Sequence, residues 1–396
     1  MMELRQLTRE IAKNRKVLVR VDFNVPLRNG KVLDDTRIRA HLETLELLES
    51  ADAKIALISH LGRPKGHFNA DLSMRNIADE VRKVTGLDII LADDCYGASV
   101  SSAIDNLKQG EVLLLENVRF HSEEKSNDMA FAKEIASPFD IFVMDAFSAS
   151  HRAHASTSAI QRCLPSYAGK LLTKEVEMLG SVITDPATPF TLILGGAKVS
   201  DKIGVIDNLM TRASTILVGG GMAYTFLNVK GCPIGKSLFE KDKADFAAQM
   251  LEKAKKLGVD IVLPSDTIVA ENIDSPNGKI VDVDSIPSDM MGLDIGPSTI
   301  KIFGKYIRKS KTILWNGPMG VFEEEAFSYG TVGVAEAVAD ATSCGALSVV
   351  GGGDTASAAR KLGFSGRMSH VSTGGGASLE FCEGKSLPGI EPLLEK

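Results

Sequence analysis

The sequence predicts an α/β protein made of two doubly wound, Rossmann-like parallel-sheet lobes joined by a helical hinge. The length of 396 residues exceeds the size at which one hydrophobic core usually keeps growing, which favours two domains. Short apolar runs rich in β-branched residues alternate with amphipathic stretches almost from end to end. Strands that alternate with helices indicate parallel sheets whose faces are covered by helices.

The first half of the chain contains the apolar runs of one lobe. The run Val17–Val21 is followed by apolar residues at helical spacing, including Ile38 and Leu45. Further runs that predict strands are Ile55–Ile58, Asp88–Leu91, Val112–Leu115 and Ile141–Met144. Helical patterns over about 72–85 and about 127–136 lie between these runs.

The second half repeats this rhythm with one interruption. The runs that predict strands are Leu192–Leu194, Thr215–Val218, Ile261–Leu263, Thr312–Trp315 and Leu347–Val350. Between Thr267 and Ile286 the pattern changes to two alternating apolar runs with Asn277-Gly278 between them. An Asn-Gly pair in this position predicts a hairpin turn.

The seam between the lobes lies between Pro165 and Pro189. Within it, Gly169–Val182 is predicted to be one helix, with prolines beyond its end. We therefore expect an N-terminal lobe over 1–168, an interdomain helix or hinge over 169–186, a C-terminal lobe over 187–385, and a tail over 386–396.

Charge and cysteine content narrow the class of protein. Lys and Arg number 45 against 51 Asp and Glu, a net charge of −6, so the excess of basic residues that a nucleic-acid binder normally carries is absent. The five cysteines are scattered, which favours reduced thiols over a disulfide framework. We find no signal peptide and no run long enough to span a membrane, and we expect a cytoplasmic protein with no membrane partner.

Cationic residues follow four predicted strands of the first half. In parallel α/β sheets, ligands bind beyond the carboxyl ends of the strands. Because Arg is the preferred fork for phosphate and carboxylate, this set predicts a small, multiply charged anion as the ligand. The alternative is a group of solvated loop residues that pair with nearby acids. The residues that follow these strands include Asp22, Asn24, Arg37, His60, Arg63, Asn117, Arg119 and Arg152.

Glycine-rich loops take the same place in the second half. Glycine lets the backbone approach a ligand closely, and a following helix presents free N–H groups to phosphate oxygens. One such loop is explained equally well by a tight turn, but several at successive strand ends indicate a phosphate-rich ligand such as a nucleotide. The loops are GGAKVSDK (195–202), GGGMAY (219–224), NGPMGVFE (316–323), GGGDT (351–355) and STGGGAS (372–378).

Lysine and aspartate residues in these loops could bind the phosphates of a nucleotide and its metal ion. Lys198 and Lys202 lie four residues apart at a predicted helix start, where both could reach phosphates. Asp354 follows three glycines, where it could serve as a helix N-cap or as a ligand of Mg²⁺. Neither a GxGxxG nor a GxxxxGK[ST] fingerprint occurs, so the nucleotide site is of another kind.

Eight long and unusual strings are spread over nearly all of the chain. They are RVDFNVP (20–26), SHLGRP (59–64), LENVRFH (115–121), HRAHAS (151–156), GGAKVSDKI (195–203), WNGPMGVFE (315–323), GGGDT (351–355) and STGGGASLE (372–380). In sequence and in order these strings closely resemble the phosphoglycerate kinase family. One departure is FSASHRAH, in which Ser148 and Ser150 stand where the family often has Gly and Ala.

The resemblance implies roles for individual residues. Lys202, Glu323 and Gly352, Gly353, Asp354 and Thr355 would hold ADP or ATP, with Glu323 on the ribose and Asp354 on Mg²⁺. Arg37, Lys198, Gly374 and Gly375 would face the migrating phosphoryl group. The residues that would bind 3-phosphoglycerate or 1,3-bisphosphoglycerate are Asp22, Phe23, Asn24, Arg37, His60, Leu61, Gly62, Arg63, Arg119 and Arg152.

The implied reaction moves a phosphoryl group from 1,3-bisphosphoglycerate to ADP in a monomer whose lobes close about the hinge. The attacking oxygens are already ionised at neutral pH, so alignment and charge stabilisation would replace a general base. Two alternatives remain open. The first is another small-acid kinase, and the second is a hinged, non-catalytic protein that binds an anion or a nucleotide.

Overall fold

The computed structural model describes residues 3–395. It divides into two compact units, which we call the N-terminal unit (Met1–Glu177 with Ser386–Lys396) and the C-terminal unit (Met178–Lys385). The boundary at Glu177 lies inside the helix Lys170–Thr184, which overlaps the predicted helix Gly169–Val182. No helix within residues 3–395 combines the length and the apolar character needed to cross a membrane.

The N-terminal unit is built on a six-stranded parallel sheet. Its strands β1, β4, β5, β6, β7 and β8 lie in the order β5-β6-β4-β1-β7-β8, and β2 and β3 form a separate short hairpin. The strands are β1 (Lys16–Arg20), β2 (Leu27–Arg28), β3 (Lys31–Val32), β4 (Lys54–Ile58), β5 (Asp88–Leu91), β6 (Glu111–Leu114), β7 (Ile141–Met144) and β8 (Ser166–Ala168).

The central strands of this sheet are buried on both faces. Val17 and Val19 of β1 belong to a cluster on one face, while Leu18, whose side chain points the other way, is also fully buried. Near-continuous apolar runs of this kind are expected where helices cover both faces of a parallel sheet. The helices are α1 (Arg9–Ala12), α2 (Thr36–Arg39), α3 (Leu42–Ser50), α4 (Arg75–Thr85), α5 (Ala98–Asn106), α6 (Met129–Ala136) and α7 (Lys170–Thr184).

The end of the chain packs against the N-terminal unit to which it is assigned. Leu394 forms an antiparallel bridge with Leu4, and the backbone N–H of Arg5 donates to the carbonyl of Leu393 at 2.9 Å. The amide of Gln161 donates to the carbonyl of Gly389 at 2.8 Å. The first and last described residues therefore belong to one folded unit.

The C-terminal unit contains a second six-stranded parallel sheet, ordered β11-β10-β9-β15-β16-β17. Together with the first sheet it confirms the predicted doubly wound α/β fold class. The strands are β9 (Phe190–Leu194), β10 (Thr215–Val218), β11 (Asp260–Val262), β12 (Asp266–Ala270), β13 (Lys279–Asp282), β14 (Met291–Ile295), β15 (Thr312–Asn316), β16 (Leu347–Gly351) and β17 (His370–Val371).

In the segment where the alternation of strands and helices is interrupted, the C-terminal unit has a three-stranded antiparallel sheet, ordered β13-β12-β14. Val269 pairs with Lys279, and the connection between β12 and β13 spans residues 271–278, so it is longer than a two-residue turn. Asn277 and Gly278 lie at its far end, directly before β13. The helices of this unit are α8 (Ile203–Leu209), α9 (Ala223–Val229), α10 (Ala244–Leu257), α11 (Pro297–Ile307), α12 (Tyr329–Ser343), α13 (Gly353–Lys361) and α14 (Gly376–Cys382).

Candidate functional site

The N-terminal unit gathers the predicted cationic residues at one edge of its sheet. Because β1, β4, β6 and β7 are parallel, the loops that follow them meet at the same edge. Arg37 comes from α2, which follows the β2–β3 hairpin. The predicted residues at this edge are Asp22, Phe23, Asn24, His60, Leu61, Gly62, Arg63, Arg119 and Arg152.

Asp22 holds the guanidinium of Arg37 in place. Its Oδ2 accepts from Arg37 Nη1 at 2.8 Å and from the hydroxyl of Ser148, and the same Nη1 donates to the carbonyl of Asn24 at 3.0 Å. Burial acts to raise the pKa of the Asp22 carboxyl, but the charge of Arg37 and the bond from Ser148 outweigh it and lower the pKa to about 2. The Asp22 carboxylate, ionised at neutral pH, therefore orients Arg37, whose side chain is 37% exposed.

His60 is a buried, neutral donor beside these charges. Its Nδ1 lies 3.1 Å from Nη2 of the fully buried Arg20 and must accept that hydrogen, because a guanidinium can only donate. Burial, and then the charge of Arg20, hold the pKa of the imidazole well below its usual range. The remaining hydrogen of His60 is therefore on Nε2, where it can be donated to an anion.

Arg119 carries a buried N–H group without a protein partner. The side chain is only 5% exposed and donates from Nη1 to the carbonyl of Gly62 at 3.0 Å, but no residue within 3–395 accepts from its Nε. Burial lowers the pKa of this guanidinium to about 10, and the charges of Arg20 and Arg152 add to the effect. An unpartnered buried donor is costly, and an anionic acceptor would satisfy it.

Hydrogen bonds from polar side chains fix these loops, and two of the side chains, Asn117 and Ser59, are ones that the resemblance did not name as ligands. Asn24 Oδ1 accepts from the N–H of Gly62 at 2.8 Å, which ties the loop after β1 to the loop after β4. Asn117 donates to the carbonyl of Leu61 at 2.8 Å, and Ser59 Oγ accepts from the N–H of Phe23 at 2.9 Å. The side chains of Phe23 and Leu61 are buried, so these two predicted residues offer mainly their backbones.

Arg63 and Arg152 stand apart from this buried group, since both are exposed at the same edge of the sheet. Of the two serines that depart from the family pattern, Ser148 bonds to Asp22, whereas Ser150 is buried and donates to the carbonyl of Phe147 at 2.6 Å. The loop before Arg152 is therefore held by hydrogen bonds that glycine or alanine could not make.

In the C-terminal unit, the glycine-rich loops after β9, β10 and β15 pack directly on one another. A Cβ on Gly195 would lie 2.1 Å from the carbonyl oxygen of Pro318, and one on Gly317 would lie 2.1 Å from that of Gly195. Gly196 donates to the carbonyl of Pro318 at 2.9 Å, and Gly220 donates to that of Met319 at 3.0 Å. These glycines therefore allow three strand ends to form one continuous backbone surface.

Asn316 lies at the end of β15 and was not predicted as an individual site residue. Its Oδ1 accepts from the ammonium of Lys202 at 2.5 Å, and its side chain is buried. Its Nδ2 makes no hydrogen bond to any residue within 3–395. An unpartnered amide donor beside a lysine is suited to an oxygen-rich ligand.

The loop after β16 leads into α13 next to this pair. Gly352 has φ 87°, a conformation that favours glycine, and a Cβ on Gly353 would meet no atom within 4 Å. Thr355 is buried, and its hydroxyl accepts from the N–H of Gly317 at 2.6 Å. Asp354 is exposed in the first turn of α13.

Lys202 links this loop electrostatically to the loop after β9. Burial lowers the pKa of its ammonium, while the carboxylates of Asp201 and Asp354 act in the opposite direction. Lys198 and Glu323 are exposed, so both are accessible to a ligand. Gly374 is buried and Gly375, with φ 51°, directly precedes α14.

Asp354 suits the kind of magnesium site in which the nucleotide supplies most of the ligands. Magnesium at phosphate sites is usually held by one or two protein carboxylates together with substrate oxygens and water. Within residues 3–395, the one group of three His, Cys, Asp or Glu side chains with metal-like spacing is Asp94, Cys95 and His121 in the N-terminal unit. Asp354 is therefore suited to a metal that arrives with its phosphates.

The C-terminal unit also has a cavity of about 590 Å³, which lies away from the glycine-rich strand ends. It is bounded by residues such as Ile268, Ile280 and Tyr329, and none of the glycine-rich strand ends lines it.

The buried carboxyl of Asp294 lies close to the NGPMGVFE loop, where a Cβ on Gly320 would be 2.2 Å from its Oδ1. Burial raises the pKa of Asp294 to about 8, although hydrogen bonds from Gly330 and Ile295 oppose the shift.

Comparisons with known proteins agree with this arrangement. The family model described as phosphoglycerate kinase matches residues 7–385. The phosphoglycerate kinase of Dictyoglomus turgidum is 50% identical over 389 residues, covering 98% of this chain and 97% of the relative. That of Moorella thermoacetica is 50% identical over 385 residues, with 97% of each covered.

Solved structures extend the similarity to three dimensions. The phosphoglycerate kinase of Coxiella burnetii superposes with a TM-score of 0.86 at 41% identity, and that of Pyrococcus horikoshii with a TM-score of 0.82 at 32% identity. Each alignment covers 96% of both chains. The chain therefore belongs to the phosphoglycerate kinase family.

Proposed function

We propose that the two units divide the family's reaction between them, with the three-carbon acid bound to the N-terminal unit and the Mg-nucleotide bound to the C-terminal unit. The reaction is reversible transfer of a phosphoryl group between the carboxyl group of 3-phosphoglycerate and ADP. The observation that carries this division is a pair of unpartnered buried donors, Arg119 Nε in one unit and Asn316 Nδ2 in the other. Each lies among groups suited to anionic oxygens.

The N-terminal unit would hold the triose through several fixed positive groups. Arg119 and neutral His60 are buried donors, and Arg37 is oriented by Asp22. The exposed side chains of Arg63 and Arg152 would complete the site by adding charge for the distal phosphate. Asp22, Phe23, Asn24, Leu61 and Gly62 would shape the site and contribute backbone groups.

The C-terminal unit would hold the nucleotide with backbone amides and a few side chains. Lys202 and Asn316 would contact phosphate oxygens, Glu323 the ribose, and Gly352, Gly353 and Thr355 the phosphates at the start of α13. Asp354 would be the protein ligand of Mg²⁺. When bound with the nucleotide, Mg²⁺ would neutralise phosphate charge and polarise the transferring group.

The transfer itself would rest on alignment and on charge stabilisation. The attacking carboxylate or phosphate oxygen is already ionised at neutral pH, so no residue is needed to remove a proton. Arg37 and Lys198 would donate to the oxygens of the migrating phosphoryl group, as would the backbone at Gly374 and Gly375. Holding the reacting oxygens in line contributes on the order of 7–11 kcal/mol to lowering such barriers.

Because the two substrates are assigned to different units, the reaction needs a conformational change. We place it in α7, since the boundary between the units falls within that helix. Bending there would bring the bound substrates together and exclude water that could hydrolyse the acyl phosphate. We further propose that the chain is a monomeric, cytoplasmic, hinge-bending enzyme.

The test is ATP formation from ADP and 1,3-bisphosphoglycerate, measured with Mg²⁺ and with the metal chelated. We expect turnover with the metal and a loss of nearly all activity without it. Acetyl phosphate and other acyl phosphates should replace 1,3-bisphosphoglycerate poorly, because they lack the distal phosphate that the arginines would bind. Binding of both substrates without any turnover would contradict the proposal and favour a non-catalytic binding protein.

A further inference from the structure

His41 is a buried imidazole that connects two backbone segments of the N-terminal unit. Nothing in the local sequence distinguishes His41 from an ordinary packing residue, and its side chain is only 1% exposed. Its Nε2 lies 2.9 Å from the backbone nitrogen of Asp22, and its Nδ1 lies 2.7 Å from Oδ2 of Asp145. Both nitrogens of the ring are therefore used inside the protein.

The two hydrogen bonds fix which nitrogen carries the hydrogen. The backbone N–H of Asp22 can only donate, so Nε2 must accept. The carboxylate of Asp145 can only accept, so Nδ1 must donate. One tautomer, the neutral ring with its hydrogen on Nδ1, satisfies both partners. The ring therefore connects the backbone of Asp22 to the carboxylate of Asp145 by two hydrogen bonds.

Asp145 is in turn attached to the start of α7. Its Oδ1 accepts from the backbone N–H of Leu171 at 3.0 Å and of Leu172 at 3.3 Å, which are otherwise unsatisfied donors in the first turn of the helix. The Asp145 carboxylate packs directly against Gly169 and leaves no space for a side chain there, since a Cβ on Gly169 would lie 2.1 Å from that Oδ1. Asp145 is fully buried.

These contacts form one continuous chain of hydrogen bonds. It runs from the first turn of α7 through Asp145 and His41 to the backbone of Asp22, and from the carboxylate of Asp22 to Arg37. The links from Leu172 through Asp145 and His41 to Asp22 join buried groups, where hydrogen bonds are strong and costly to leave unmade. The helix that crosses the boundary between the units is therefore bonded to the loop that holds Arg37.

We propose that His41 and Asp145 are positioning residues for the triose site, which keep Asp22 and Arg37 in register with the first turn of α7. This inference rests on the proposed function, because it takes Asp22 and Arg37 as triose-binding residues. His41 touches no substrate in this account. Its contribution is to hold the Asp22 backbone at the place from which the carboxylate can orient Arg37.

Three substitutions of His41 separate its two bonds. Gln places an oxygen as many bonds from Cα as Nε2, so His41→Gln can still accept from the Asp22 N–H. Asn places its nitrogen as many bonds from Cα as Nδ1, so His41→Asn can still donate to Asp145. We expect His41→Ala and His41→Asn to raise the KM for 3-phosphoglycerate by about tenfold, and His41→Gln to stay within about threefold of the parent chain.

The same variants should leave the KM for MgATP within about twofold of the parent value, because the chain of hydrogen bonds ends at residues assigned to the triose site. A general loss of folding would lower the thermal midpoint of all three and affect both substrates together. Thr44→Val is the matched control. Thr44 Oγ1 accepts from the N–H of Lys170 at 2.9 Å, so this variant also removes a partly buried hydrogen bond to the start of α7, but one that does not lead to Asp22. Its KM for 3-phosphoglycerate should be unchanged.

Asp145→Asn tests the fixed tautomer. The new amide can accept from α7 with its oxygen only if it turns its NH₂ group toward His41, which forces the hydrogen of the ring onto Nε2, against the Asp22 N–H. We expect the KM for 3-phosphoglycerate to rise about as much as in His41→Ala, with no further rise in the double variant. The ¹⁵N chemical shifts of the His41 ring should show that the protonated nitrogen changes from Nδ1 to Nε2.

Two outcomes separate this inference from the proposed function. If Asp22→Asn raises the KM for 3-phosphoglycerate while His41→Ala and Asp145→Asn do not, the positioning role of His41 and Asp145 is refuted. The assignment of the triose site then stands. If Asp22→Asn itself has no effect on that KM, the triose assignment is refuted as well. A His41→Asn variant with the KM of the parent would also contradict the positioning role, because that side chain has lost the acceptor for the Asp22 N–H.

Discussion

Replacing Arg37 with alanine is expected to lower turnover by about a thousandfold or more, while the Kd for MgADP stays within about twofold of the parent value. The guanidinium is partly exposed and held by Asp22 at 2.8 Å, so it is aimed before substrate arrives. An arginine fixed in this way stabilises the charge of a transferring phosphoryl group without further reorganisation. Single-turnover measurement of phosphoryl transfer would check the effect directly.

Arg39→Ala provides the matched control for this prediction. Arg39 lies two residues further along α2, is exposed, and pairs with Asp35 on the same segment at 2.7 Å. Its removal changes the net charge by the same amount, but it should leave turnover within about twofold, as surface ion pairs contribute little. Turnover retained in Arg37→Ala, or lost equally in both variants, would remove Arg37 from the catalytic role.

The second large effect is expected for Asp354→Asn, which should weaken binding of MgADP by about tenfold or more. Metal-free ADP should bind within about twofold of the parent affinity, because the amide keeps the shape of the side chain and removes only its charge. Titration calorimetry with ADP, in the presence of Mg²⁺ and with the metal chelated, would measure both values.

A carboxylate in the first turn of a helix also interacts with the helix dipole, so a control is needed. Asp245 is an exposed acidic residue in the first turn of α10, and Asp245→Asn should leave both affinities unchanged. Equal losses for MgADP and metal-free ADP in Asp354→Asn would show that Asp354 does not bind the metal.

Much of the architecture could be predicted from residue periodicity. The runs Ile55–Ile58 and Ile141–Met144 lie within strands β4 and β7, because near-continuous β-branched runs are what a strand buried on both faces requires. The connection before β13 was predicted less well. Asn277-Gly278 suggested a tight turn, but the structure has a longer loop there, since the pairing of Val269 with Lys279 sets the register.

Site residues could be predicted from the sequence where they directly follow a strand. They could not be predicted where their role depends on contacts between segments distant in sequence. Arg119 and Lys202 follow strands at ligand-binding edges, so the topology alone points to them. His41 lies between two helices, and its partners Asp22 and Asp145 are distant in sequence. Nothing local distinguishes such a histidine from a packing residue until the fold brings its partners together.

Asn316 illustrates the same limit within a recognised motif. The NGPMGVFE string identified the loop, but the glycines drew attention because they relax the backbone. The partnership of Asn316 with Lys202, and the free donor on its Nδ2, depend on how the strand ends after β9 and β15 lie beside each other. A sequence pattern shows which loops converge, whereas the hydrogen bonds left unmade show which atoms await a ligand.

The assignment of one substrate to each unit is tested most directly by hydrogen–deuterium exchange with each ligand added separately. We expect 3-phosphoglycerate alone to slow exchange in residues 22–24, 60–63 and 117–120, and MgADP alone to slow exchange in residues 195–202, 316–323 and 352–355. Protection of the second set by 3-phosphoglycerate, or of the first set by MgADP, would contradict the account.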